Sequence, residues 1–129
     1  MDSARLLSGH PATLPLPPFA VDALTPGHWI QMAPDLTAYA GPWGVSYAAN
    51  LTPDTTTGIG GWTEDVFVKT LRTGKHLGMD NGRPLLPPMP SEEIAQWKDN
   101  DLRAVYQYLR SLPSIRNRVP APVSPQDAA

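Results

Sequence analysis

The chain has 129 residues, a hydrophobic fraction of 41% and a formal net charge of −2, which suits one globular domain with a usable but modest core. The absence of cysteine excludes disulfides and thiolate metal sites, the lack of a basic patch argues against nucleic acid as a partner, and no apolar stretch approaches the roughly 18 residues of a membrane-spanning helix. Sixteen prolines and ten glycines require that much of the chain be loop, because proline lacks an N–H and fixes φ.

In chain order, residues 1–35 read as irregular: Pro11, Pro15, Pro17, Pro18, Pro26 and Pro34 recur too closely for a long helix. Met1 to Arg5 are not followed by the apolar region of a signal peptide. Residues 36–61 carry the turn signals Gly41-Pro42, Thr52-Pro53-Asp54 and Gly58-Ile59-Gly60-Gly61, and no strand shows convincing alternation. The spacing predicts a helix over 63–73, with Thr63 as N-cap, Glu64 and Asp65 at its positive end, Val66, Phe67, Thr70 and Leu71 on one face, and Gly74 as a left-handed cap. Four prolines between residues 84 and 90 stiffen the next segment. A short helix is predicted over 91–97, with Ser91 as N-cap. A longer one runs from Asp99 to just before Pro113, where Leu102, Val105, Tyr106, Leu109 and Leu112 form one apolar stripe. Residues 120–129 read as a disordered tail beyond a single domain of residues 1–119. The fold class expected is mostly α, with long Pro/Gly-rich loops.

Among side chains that could carry chemistry, Met89 lies between Pro88 and Pro90, and a thioether held in a stiff loop suits either core packing or a soft axial ligand to iron. His10, His28 and His76 have no partner at metal-ligand spacing, so capping or surface roles suit them. Thr73-Gly74-Lys75-His76 lacks the upstream glycine and the Ser/Thr of a phosphate loop, and Asp54 to Gly58 offers one carboxylate, too few for a calcium loop. No nucleophile–base pair is visible, so a hydrolytic enzyme is disfavoured and an electron carrier or a binding module remains.

Taken together and in order, the segments resemble class I c-type cytochrome domains of bacterial electron-transfer chains. Tyr47 to Asp54, then Thr57-Gly58-Ile59-Gly60 and Trp62, resemble their haem-contact loop. Thr63 to His76 resembles the helix that follows it, Arg83 to Pro90 the methionine-ligand loop, and Asp101 to Pro113 the C-terminal helix; the match spans roughly residues 41–120. The resemblance implies haem c as cofactor, with Met89 as axial ligand of the haem iron. It also implies contacts from Asn50, Leu51, Thr52 and Pro53, and from Trp62 and Arg83 beside the haem or its propionates. It implies a periplasmic electron carrier, not itself an enzyme, that meets redox partner proteins in a dehydrogenase or oxidase chain.

Two departures bear on that reading. The family opens with Cys-x-x-Cys-His on its first helix, whose cysteines bond the haem and whose histidine is the second axial ligand. Covalent attachment is impossible in a chain with no cysteine. Ser8-Gly9-His10-Pro11 resembles the stretch after that helix, so the first helix is expected to be missing, the domain N-terminally incomplete and the chain a fragment of a full cytochrome. The apolar stripe of the last helix is then expected to lack a partner, and the haem-free domain to be marginal or molten. The second departure is Ser91, where the family often has tryptophan. The alternative reading is a haem-free structural or interaction module that kept the fold and lost the cofactor.

Overall fold

A computed structural model describes residues 2–129. Three antiparallel strands come first: β1 (Gln31–Met32), β2 (Ala38–Gly41) and β3 (Gly44–Tyr47), arranged in the order β1-β2-β3. Four α-helices follow: α1 (Glu64–Thr73), α2 (Ser91–Ile94), α3 (Asp99–Arg110) and α4 (Pro125–Ala128).

This corrects the mostly-α expectation. Helix of all kinds covers about 31% of the chain, two of the four α-helices are four residues long, and a sheet occupies the segment read as turns. The strands escape a periodicity reading because they are short and built from small residues. Ala38, Ala40, Gly41, Gly44, Val45 and Ser46 are all buried, so no alternation of apolar and polar side chains marks them. Gly41 pairs with Gly44 across Pro42-Trp43 to close the hairpin. Gly44 takes φ +97°, and a Cβ there would come 2.0 Å from the Val123 carbonyl oxygen. Only glycine lets Val123 approach β3 to exchange two 2.9 Å hydrogen bonds with Val45. Residues 120–129, which the sequence suggests have no order, thus run beside β3 and end in α4.

The helices follow their local signals. The Thr63 hydroxyl accepts from the Val66 N–H at 3.1 Å, and Gly74 closes α1 at φ +66°. Ser91 is not the cap of α2: Pro90 holds that position, and the buried Ser91 hydroxyl has no protein partner. The apolar stripe of α3 is covered rather than left bare. Leu102, Tyr106 and Leu109 are buried; Tyr106 and Leu109 pack with Ile59 and Phe67, with Leu51, Trp62, Leu71, Val105 and Leu112 around them. The Tyr106 hydroxyl donates to the Trp62 carbonyl at 2.8 Å, and its ring lies 5.4 Å from that of Phe67. Arg103 joins α3 to Glu64 at 2.6 Å, a partly exposed pair that contributes little beside the apolar contact.

A polar knot holds the irregular segments against this core. The Asn50 amide donates to the carbonyls of Ile115 and Asn117 at 2.8 and 3.2 Å, while its oxygen accepts from the Thr52 N–H and hydroxyl at 3.0 and 2.7 Å. The Asn117 amide donates to the carbonyls of Ser8 and His10 at 2.8 and 2.9 Å and accepts from the Ala12 N–H at 2.8 Å. Both asparagines are buried, so each bond replaces one that water can no longer make.

Two expectations follow. Asn117→Ala leaves three main-chain groups without their partner and should cost about 2–4 kcal/mol in urea unfolding. Leu102→Ala should cost about 2–5 kcal/mol, because its side chain is fully buried. A loss below about 0.5 kcal/mol for either would show that its surroundings are not packed as described.

Candidate functional site

The Met89 loop is tethered at two points. Leu85 N–H donates to the Gly74 carbonyl at 2.8 Å and His76 N–H to the Arg83 carbonyl at 2.9 Å, which ties the start of the loop to the end of α1. Further on, the Ser46 hydroxyl donates to the Pro87 carbonyl at 2.6 Å and itself accepts from the Trp43 indole N–H at 3.1 Å, which fixes the loop to β3. Between these anchors Met89 is 39% exposed, accessible rather than packed into the core. Sequence reasoning identified the stiff loop but not its anchor, since nothing marks Ser46 as reaching Pro87.

Trp62 and Arg83 meet through His76, which the sequence suggested for a capping or surface role. The Trp62 ring stands edge-on to the His76 ring at 5.9 Å. Desolvation, then the positive charge of Arg83, holds the His76 pKa below its ordinary 6.5. Trp62, His76 and Arg83 therefore form one aromatic and basic cluster between the start of α1 and the Met89 loop. The signal for His76 was its place just beyond the Gly74 cap, which brings the chain back toward Trp62.

The other expected haem contacts are engaged within the protein. Asn50 and Thr52 turn inward, with their polar atoms spent on one another and on residues 115–117. Leu51 packs beside the core, and the Pro53 carbonyl sits so close to Gly60 that a Cβ there would meet it at 2.2 Å.

Haem asks for two axial donors, and neither His10 nor His28 is placed to supply the second. His10 is 1% exposed, with Nδ1 2.7 Å from the Thr37 hydroxyl and Nε2 3.2 Å from the Leu14 carbonyl. A carbonyl only accepts, so Nε2 carries a proton and has no lone pair to offer a metal. His28 lies on the surface, 3.6 Å from Asp22. The described residues contain no cluster of three His, Cys, Asp or Glu side chains able to hold a metal ion, and none of their helices is long and apolar enough to cross a membrane. The methionine side of a haem site thus fits the residues present, while the cysteine–histidine side does not.

No family model matches the chain. Similarity to curated proteins points in one direction. The chain is 44% identical over 69 residues to the gluconate 2-dehydrogenase cytochrome c subunit of Pantoea cypripedii, covering 54% of this chain and 15% of that protein. It is 30% identical over an alignment of 124 residues to the fructose dehydrogenase cytochrome subunit of Gluconobacter japonicus, covering 79% and 25%. It is 40% identical over 67 residues to the cytochrome c subunit of the quinone alcohol dehydrogenase of Gluconobacter oxydans, covering 52% and 13%. The chain therefore spans a quarter or less of the length of these relatives, and it is related in sequence to cytochrome c subunits of bacterial dehydrogenases.

The His76 environment has a pH signature. A histidine whose folded pKa lies below 6.5 binds fewer protons folded than unfolded. Its burial therefore costs nothing above about pH 6.5 and destabilises progressively as pH falls below it. A proton NMR titration should place the His76 midpoint below 6.5, and Arg83→Gln should raise it part of the way, since desolvation is the larger cause. A midpoint at or above 6.5 would remove His76 from the cluster.

Proposed function

We propose that this chain is an electron-transfer module of cytochrome c type that serves a dehydrogenase complex in the periplasm, with Met89 as one axial ligand of the haem iron. The observation that carries this reading is the Met89 loop itself. A stiff segment, fastened to α1 through Leu85 and to β3 through Ser46, presents an accessible thioether in a chain related in sequence to cytochrome c subunits. When bound, haem supplies a one-electron Fe(III)/Fe(II) couple, whose potential methionine ligation raises. The protein's own part is to hold the Met89 sulfur in place, to keep water from the Ile59–Phe67 side of the core, and to set the positive charge of Arg83 beside Trp62, where carboxylates of a cofactor would be balanced. These 129 residues contain no cysteine, so haem held by this chain would be bound without covalent attachment. With Met89 holding one side of the iron, the module would carry electrons rather than make or break bonds.

One set of observations favours a second reading, a haem-free module. The chain has no cysteine, and His10 has both ring nitrogens engaged.

Titration of the purified chain with hemin, read in the visible for the oxidised and dithionite-reduced forms, separates the two. The electron-transfer reading expects a Soret shift and sharp reduced α and β bands that Met89→Ala abolishes while the circular dichroism spectrum is unchanged. Hemin binding no tighter than to an unrelated protein, with no effect of Met89→Ala, would establish the haem-free reading for this chain.

A further inference from the structure

The side of the molecule around β1 carries an unusual surface. Val21, Trp29, Ile30, Met32 and Leu36 are all exposed, Trp29 by 88% and Met32 by 60%. Isolated exposed apolar residues are ordinary, but five large ones within sixteen residues of chain are an unusual concentration, of the kind found at interfaces. Met32 also lines a groove of about 270 Å³ with Leu16, Pro17, Phe19 and Tyr39, continuous with a second of about 250 Å³ through Pro17 and Pro34.

The sheet adds an open edge. β1 pairs with β2 alone, whereas the outer side of β3 is covered by Val123. The Met89 loop is fastened to β3, at the opposite edge of the sheet from β1. Whatever covers the β1 side can therefore leave the Met89 loop accessible.

Charge narrows the occupant. Residues 6–68 contain no lysine or arginine. The charged neighbours of the ridge are Asp22 and Asp35, both exposed, with His28 beside Asp22. A twofold pairing of two copies through this face would set these carboxylates against themselves, and like charges in an interface repel. A head-to-tail pairing of this face with the basic half of another copy (Lys69, Arg72, Lys75, Arg83) is heterologous and gives rings or open chains rather than a closed pair.

We propose that the Trp29 ridge docks onto a different protein, which offers an apolar socket for Trp29 rimmed by lysine or arginine. The partner is a subunit of the dehydrogenase complex, and only that identity rests on the function proposed above. Trp29 is the anchor: a large, rigid ring that loses little conformational freedom on burial and carries a disproportionate share of interface energy. Asp22 and Asp35 steer the approach and fix the register.

The test is zero-length carbodiimide cross-linking of the full chain in its own host cells, with linked peptides identified by mass spectrometry. The expected result is a link from Asp22 or Asp35 to lysines of one other protein. Trp29→Ser should cut that link about tenfold or more, as loss of an interfacial tryptophan does. Links from Glu92 or Glu93, on the far side of the Met89 loop, should persist in the same variant. Because Trp29 is almost wholly exposed, its replacement leaves the melting temperature unchanged, and a matching melt shows that the loss is one of contact. Links from Asp22 and Asp35 that run to a second copy of this chain, that are untouched by Trp29→Ser, or that are absent while Glu92 and Glu93 do cross-link would overturn the proposal. Failure of hemin to bind would leave the link in place, so the two readings fail separately.

Discussion

Two buried asparagines hold this fold together. Asn50 and Asn117 lie in segments that no helix or strand secures, and between them they tie residues 8–12, 50–57 and 115–117 into one body. An asparagine amide offers two donors and an acceptor on one short, stiff stem, so it can satisfy main-chain groups from two segments at once. Serine or threonine at either position would leave carbonyls of Ser8, His10 or Asn117 without their partner. The loop-rich composition makes such a knot necessary: with no disulfide and a modest core, cross-links between irregular segments must come from satisfied polar groups.

The knot also sets the Met89 loop, through a chain of rigid steps. Asn50 orients Thr52, whose carbonyl accepts from the Ile59 N–H at 2.9 Å. Asp54 completes the turn by accepting from the Thr57 N–H and hydroxyl at 2.7 and 2.6 Å, bonds that hold its carboxyl below the usual range. The turn delivers Ile59 to the core and Trp62 to the start of α1. The far end of α1 carries Gly74, from which Leu85 and hence Met89 are hung. A disturbance at Asn50 thus reaches the thioether without any direct contact between the two.

What the sequence made legible was local. α1 and α3 stand where their caps and periodicity placed them, because Thr63, Gly74 and the Leu102–Leu109 stripe act within one or two turns of chain. The resemblance around Met89 was legible for a similar reason, since proline stiffness is local. The sheet was not, because Ala38 to Tyr47 gain their strand character from being covered on both sides. Neither were the roles of Asn117, Ser46 and His10, each decided by a partner more than 25 residues away in the chain: Ser8, Pro87 and Thr37. Ser91 fails in the opposite sense. It is a good N-cap residue by type, but the Pro90 backbone takes the capping position and leaves the hydroxyl inside.

The distribution of chemistry over the molecule follows from this construction. The segment before residue 50 holds the sheet, the grooves and the acidic, apolar ridge. The segment after it holds nearly all the cations, the aromatic–basic cluster at Trp62 and the methionine loop. On the proposed function, a carrier working inside a complex would need a face that stays docked and a separate face through which electrons pass. Transfer falls off steeply with distance, and burying the redox edge under a permanent contact would block the second partner. Here the sheet acts as a spacer, with β3 holding the Met89 loop and β1 presenting the ridge.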